Sequence, residues 1–230
     1  MTAPLFRCRG ARIEVKGQVL LDELDIDVDG ARVVLIGNFE PLFRLWSREA
    51  TLTRGSVEVL GASAHAALRD NRLGIARVDA PYVRSSKAIE SLRDSARLTG
   101  LGKREATRRA EVTLEDLGLG TLGRQRLGAL DDADRRALAI ARAVLGAPPA
   151  IAIERPFEAL PDERALAVET ALAKAAAGRQ LLLNLAAPAR SGPEARALEA
   201  ASGVATLRSG VIVRSSDALP LDSAPGKLDS

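Results

Sequence analysis

The sequence predicts a layered α/β fold, and three observations carry that expectation. Continuous apolar runs at Val33-Val34-Leu35-Ile36, Ala150-Ile151-Ala152-Ile153 and Leu181-Leu182-Leu183 read as buried parallel strands. The stretch between the first two runs is patterned as helix, and a further helical stretch precedes the third. Upstream of all of them the chain alternates apolar and polar residues, as a half-exposed sheet does. Strands flanked by helices, with a helical insertion in the middle, indicate layers of sheet and helix around one core.

Taken in order, Leu24, Ile26 and Val28 alternate with Asp25, Asp27 and Asp29, predicting an antiparallel strand closed at Asp29-Gly30. A second short strand is expected over residues 56–60, bracketed by Gly55 and Gly61. Residues 89–145 read as helices broken at Gly100-Leu101-Gly102 and around residues 118–128. An alanine-rich helix over residues 162–177 ends at Gly178. Residues 204–207 and 211–213, joined at Ser209-Gly210, predict a closing hairpin, and residues 216–230 a flexible tail rich in Ser, Asp and Pro. No internal repeat is present. One domain is therefore expected over residues 1–215, with a core at about 1–79 and 146–215 and a helical subdomain at about 80–145.

Composition excludes several functions. The 230 residues are 47% apolar and 27% charged, an ordinary soluble composition. A net charge of +3, from 33 basic and 30 acidic residues spread along the chain, predicts no nucleic-acid partner. The single cysteine, Cys8, excludes an intrachain disulfide and points to a reducing compartment. No run reaches the roughly 18 apolar residues of a membrane span, and residues 1–6 show no signal-peptide core. The expected location is cytoplasmic, with any membrane connection made through a partner.

Residues 37–44 read G-N-F-E-P-L-F-R and follow the first buried strand, where a phosphate-gripping loop belongs. The pattern G-x-x-x-x-G-K-[ST] begins here at Gly37. It then places glycine at Leu42, lysine at Phe43 and Ser/Thr at Arg44. No lysine occurs between Lys16 and Lys87, so no shift of register restores it. Leu42 puts a side chain where glycine would let the backbone approach phosphate. Phe39, Phe43 and Trp46 predict a loop collapsed on itself and filled by aromatic rings. Arg44 is left either as a stray phosphate contact or as a solvated cation.

The most specific segment is residues 127–161, LGALDDADRRALAIARAVLGAPPAIAIERPFEALP. Its A-R-A-x-L-x-x-x-P run (residues 141–149) and P-F-x-A-L run (residues 156–160) are framework positions. The segment resembles the signature-to-Walker-B region of nucleotide-binding subunits of ATP-binding cassette (ABC) transporters, and the resemblance extends over roughly residues 5–214. It implies a P-loop NTPase-like cassette: an antiparallel β subdomain, a mainly parallel core sheet and an inserted helical subdomain. By that resemblance the L-S-G-G-Q signature falls on Leu130-Asp131-Asp132-Ala133-Asp134. A carboxylate about 4 Å from a phosphate charge costs roughly 1–4 kcal/mol, so the alternative role is that Asp131 or Asp132 caps the following helix. The Walker B aspartate falls on Glu154, a weak equivalent for a metal ligand. The catalytic glutamate falls on Arg155, which accepts no proton and is read instead as pairing with Glu154 or another local acid. The switch histidine falls on Ala186, the glutamine near Val78, the adenine-stacking aromatic near Val15, and the aspartate expected after Leu160 on Pro161. The lone histidine, His65, lies elsewhere, in a loop expected to be exposed.

No catalytic residue, metal site or cofactor is therefore expected. Losing three charge-assisted hydrogen bonds of roughly 1.5–3 kcal/mol each removes about three to six orders of magnitude in nucleotide affinity. The resemblance implies a non-catalytic cassette that docks on an integral-membrane permease near residues 79–83, with Tyr82 as an anchor or as a packing residue. It also implies pairing with a second cassette, or with itself as a dimer. Two alternatives stand beside it. One is a divergent but active subunit that binds ATP and Mg through Glu154 and substitute contacts. The other is a soluble regulator of another cassette.

Overall fold

The structure, a computed structural model, describes residues 4–79, 81–208 and 211–215. The Ser209-Gly210 turn and the tail over residues 216–230 lie outside the described residues. Two sheets form. In the first, β1 (Phe6–Val15) pairs antiparallel with β2 (Gln18–Val28) on one side and β4 (Thr51–Val59) on the other. The short β5 (Ala62–Ser63) completes the order β2-β1-β4-β5. The expected strand at 56–60 proves longer, because Gly55 lies inside β4 rather than before it. Its φ of +76° suits glycine, and a Cβ there would meet the Arg9 and Gly10 carbonyl oxygens at 2.2 and 2.3 Å. The register of β1 on β4 shifts at this point, between Arg9 and Arg12.

The second sheet is built from β3 (Arg32–Ile36), β6 (Leu73–Ala76), β7 (Ala150–Glu154), β8 (Gln180–Leu185), β9 (Gly203–Arg208) and β10 (Val211–Ser215). Its order is β10-β9-β3-β8-β7-β6, and every pairing is parallel except β10 on β9. Side chains alternate across it, so each face enters a different core. Val33 and Leu35 join the apolar layer between the two sheets, whereas Val34 and Ile36 face the helices. The helical layer comprises α3 (Ala88–Leu98), α4 (Lys103–Asp116), α5 (Asp132–Val144), α6 (Asp162–Ala176) and α7 (Gly192–Glu199). Two short helices, α1 (Glu40–Trp46) and α2 (Ala64–Arg69), contribute buried side chains to the layer between the sheets. His65 is exposed as expected, but it sits on α2 and not in a loop. No helix among the described residues is long and apolar enough to cross a membrane.

Candidate functional site

Three strand ends of the second sheet converge where the motifs were placed: Ile36 of β3, Ala76 of β6 and Glu154 of β7. After β3 the chain turns at Gly37, whose φ of +117° favours glycine and whose amide donates to Leu185 O at 2.9 Å. The next turn closes tightly. The Phe39 amide donates to Gly37 O at 3.0 Å, and α1 starts one residue later with Pro41 in its first turn. Phe39, Leu42 and Phe43 are fully buried and Trp46 nearly so. Trp46 meets Phe43 edge-on at 5.1 Å between ring centroids and Phe6 at 5.7 Å. The loop side chains therefore point down between the sheets. Arg44 is neither stray nor free, because its Nε donates to Glu40 Oε1 at 2.7 Å, one helical turn away.

Beside this loop lies a charge cluster built around Arg77, the residue that follows β6. Its guanidinium is buried, with 4% of the side chain exposed, and it reaches three carboxylates. Nε donates to Glu154 Oε2 at 3.2 Å, Nη2 donates to Asp79 Oδ1 at 2.9 Å, and Nη1 lies 2.6 Å from Glu49 Oε1. Burial works against the charge on Arg77, but the three carboxylates more than offset it and hold its pKa above the ordinary arginine value. Burial pushes the Glu154 carboxyl up, and Arg77 offsets this only in part. The remaining space between Arg77, Glu154, Arg136 and Val78 is about 10 Å³, room for one water.

The expected pairing of Arg155 is settled by this arrangement. Glu154 is taken by Arg77, and Arg155 reaches Glu158 instead, at 3.5 Å. The backbone of Arg155 turns with φ +38°, its amide donating to Asn184 O at 3.0 Å. Arg136, from α5, secures the turn by donating to Pro156 O at 3.1 Å.

Asn184 is a second residue that sequence reasoning passed over. It is fully buried in β8, paired across from Glu154, and its Nδ2 donates to Leu35 O, Gly37 O and Leu185 O at 3.0–3.2 Å. It pins the first residues of the loop to the neighbouring strand. The available signal was a lone amide in the apolar run of β8. For Arg77 it was a basic residue ending a strand, followed two positions later by Asp79.

At the signature position, Asp131 is the N-cap of α5, its Oδ1 accepting from the Asp134 amide at 2.9 Å. Arg164 of α6 bridges Asp131 and Asp134, and Arg135 pairs with Asp132. The helix start is thus occupied by its own carboxylates, which are paired with arginines; Ala133 is buried behind them. The remaining positions are dispersed. Val78 is partly exposed just beyond Arg77, and Ala186 is exposed just past β8. Val15 lies half-buried at the β1–β2 turn, and Pro161 caps α6. The structure brings Gly37, Asn184, Glu154 and Arg77 into one cluster. It joins Asp131, Asp132 and Asp134 to arginines in a separate one.

No protein-family model matches this sequence. Solved structures match it over nearly its whole length. A nucleotide-free ATP-binding cassette from an ABC transporter superposes with a TM-score of 0.73 at 16% identity, covering 91% of this chain and 89% of the other. CbiO1 of Clostridium perfringens, part of the ABC transporter complex CbiONQ, gives 0.71 at 14% identity, covering 92% and 87%. An ATP-binding subunit of an ABC transporter gives 0.69 at 18% identity, covering 91% and 90%. At these identities the likeness is one of fold.

Proposed function

We propose that this chain, which has the ATP-binding-cassette fold, is a non-catalytic cassette subunit of a membrane transport assembly, docking on a permease, pairing with another cassette, or both. The observation that carries the reading is Arg77. In a cassette the carboxylate at the end of β7 faces a metal ion, and a triphosphate lies beside it. Here Glu154 is spent on a buried guanidinium that two further carboxylates hold in place. The residues present do not fit magnesium–triphosphate. A metal at Glu154 would have to displace Arg77, and two cations at that spacing repel strongly in a low-dielectric setting. A phosphate chain above α1 would find Leu42 and Phe43 where a glycine and a lysine are required, with no ammonium to meet its charge.

A second reading keeps the chain as a divergent working ATPase, and the retained Glu154 carboxylate is what favours it. Hydrolysis separates the two. The purified chain, assayed alone with ATP and magnesium, should release no phosphate above background. Turnover that disappears in Glu154→Gln would establish the second reading. Docking is tested by co-purification with tagged candidate permeases. Recovery of the chain by itself from solubilised membranes counts against that half of the proposal.

A further inference from the structure

We infer that a cleft between α6 and α7 is closed by this chain's own tail, with Leu219 and Leu221 as the inserted side chains. The inference goes beyond the transport reading and holds whether or not the chain takes up nucleotide.

The cleft lies on the helix-facing side of the second sheet and has a volume of about 170 Å³. Its floor is Val34, Leu181 and Leu183, all buried. Its walls are methyl groups, from Ala173 and Ala176 of α6 and Ala197 of α7. Alanines on both helices fill too little of the space between them to seal the floor from solvent. A cavity of about 150 Å³ admits benzene, so this one takes a leucine side chain with room for part of a second.

Sheet register brings the tail to this place. Ser215, the last residue of β10, pairs with Val204 of β9, and Val204 pairs with Val34 of β3. Two strand spacings, roughly 10 Å in all, therefore separate Ser215 from the cleft floor. An extended chain spans about 3.3 Å per residue, so Leu219 reaches about 13 Å beyond Ser215 and Leu221 about 20 Å. The longer reach covers the detour around the turn at residues 200–202 that leads from α7 into β9.

The tail reads Asp217-Ala218-Leu219-Pro220-Leu221-Asp222, and its chemistry matches the cleft. Pro220 favours an extended Leu219, and in an extended chain residues two apart share a face. Leu219 and Leu221 therefore enter together, while Pro220 points outward with no amide to satisfy. The mouth carries Arg32, Arg196 and Glu169, with Arg196 held bidentate on Glu169 at 2.7 and 2.6 Å. One positive charge is in excess there, complementary to the two aspartates that bracket the leucines.

The test is photo-crosslinking of the purified full-length chain with benzoylphenylalanine in place of Ala173, which is exposed at the rim. Trypsin isolates that position in residues 165–174 and the tail in residues 215–227. The expected product joins these two peptides within one molecule, in a species of monomer mass. Leu219→Asp combined with Leu221→Asp should cut its yield at least about ten-fold, and Ala197→Phe, which fills the cleft, should do the same. Unchanged far-ultraviolet circular dichroism shows that both variants are folded. A crosslink to a second copy, to a co-purified lipid or to another segment of the chain would overturn the inference. So would an undiminished yield in the Asp variant, or no crosslink at all.

Discussion

Arg77 and Glu154 lie at the ends of two neighbouring strands, with 4% and 6% of their side chains exposed, so neither charge is well served by water. Removing one partner strands the other. Arg77→Leu should lower unfolding free energy by about 3–5 kcal/mol, whereas Arg77→Leu with Glu154→Leu should recover most of that loss. Urea unfolding of the three proteins checks this. The pair also fixes a pH dependence. Because burial holds the Glu154 carboxyl above the ordinary glutamate range, the folded state binds its proton more firmly than the unfolded state. The resulting stability is fully present below the unfolded glutamate pKa. It is lost as pH rises through the folded value. In Arg77→Leu the offsetting cation is gone, so the decline should be steeper and extend to higher pH; Glu154→Gln should abolish it.

α1 and α5 lie where the resemblance would put two phosphate-binding helix starts, and in this chain each start is built into the fold. In α1 the side chains of Leu42 and Phe43 are core. Installing phosphate-loop residues with Leu42→Gly, Phe43→Lys and Arg44→Ser should therefore destabilise the chain by more than about 3 kcal/mol, since it empties two packed positions and places an ammonium in one of them. Thermal melting would show this. In α5, Asp131→Ala removes the N-cap and should cost about 0.5–2 kcal/mol without altering the fold. The α5 cap and the buried α1 loop were legible in the sequence because their determinants are local: an acid ahead of a helical run, and aromatic residues within one short segment. Strand and helix positions were legible for the same reason, through periodicity. The Arg77 cluster was not. Its partner Glu154 lies 77 positions away, and only the β6–β7 pairing brings them together. Gly55 misled for a related reason. As a residue type it marks a boundary, yet here a cross-strand close approach demands it inside β4.

Across the whole molecule, the sheets and the helical layer form the cassette architecture, and Glu154, Asp131, Asp134 and the α1 aromatics each have a partner within the chain. Arg77 answers Glu154, Arg164 answers Asp131 and Asp134, and the aromatic rings answer each other. This internal satisfaction leaves little for a nucleotide to gain. The non-catalytic role proposed for this chain requires that its closed interior take up no nucleotide. Calorimetric titration of the purified chain with ATP and magnesium tests that most directly. The account predicts no saturable heat and no magnesium dependence up to millimolar nucleotide; magnesium-dependent binding at micromolar concentration would contradict it.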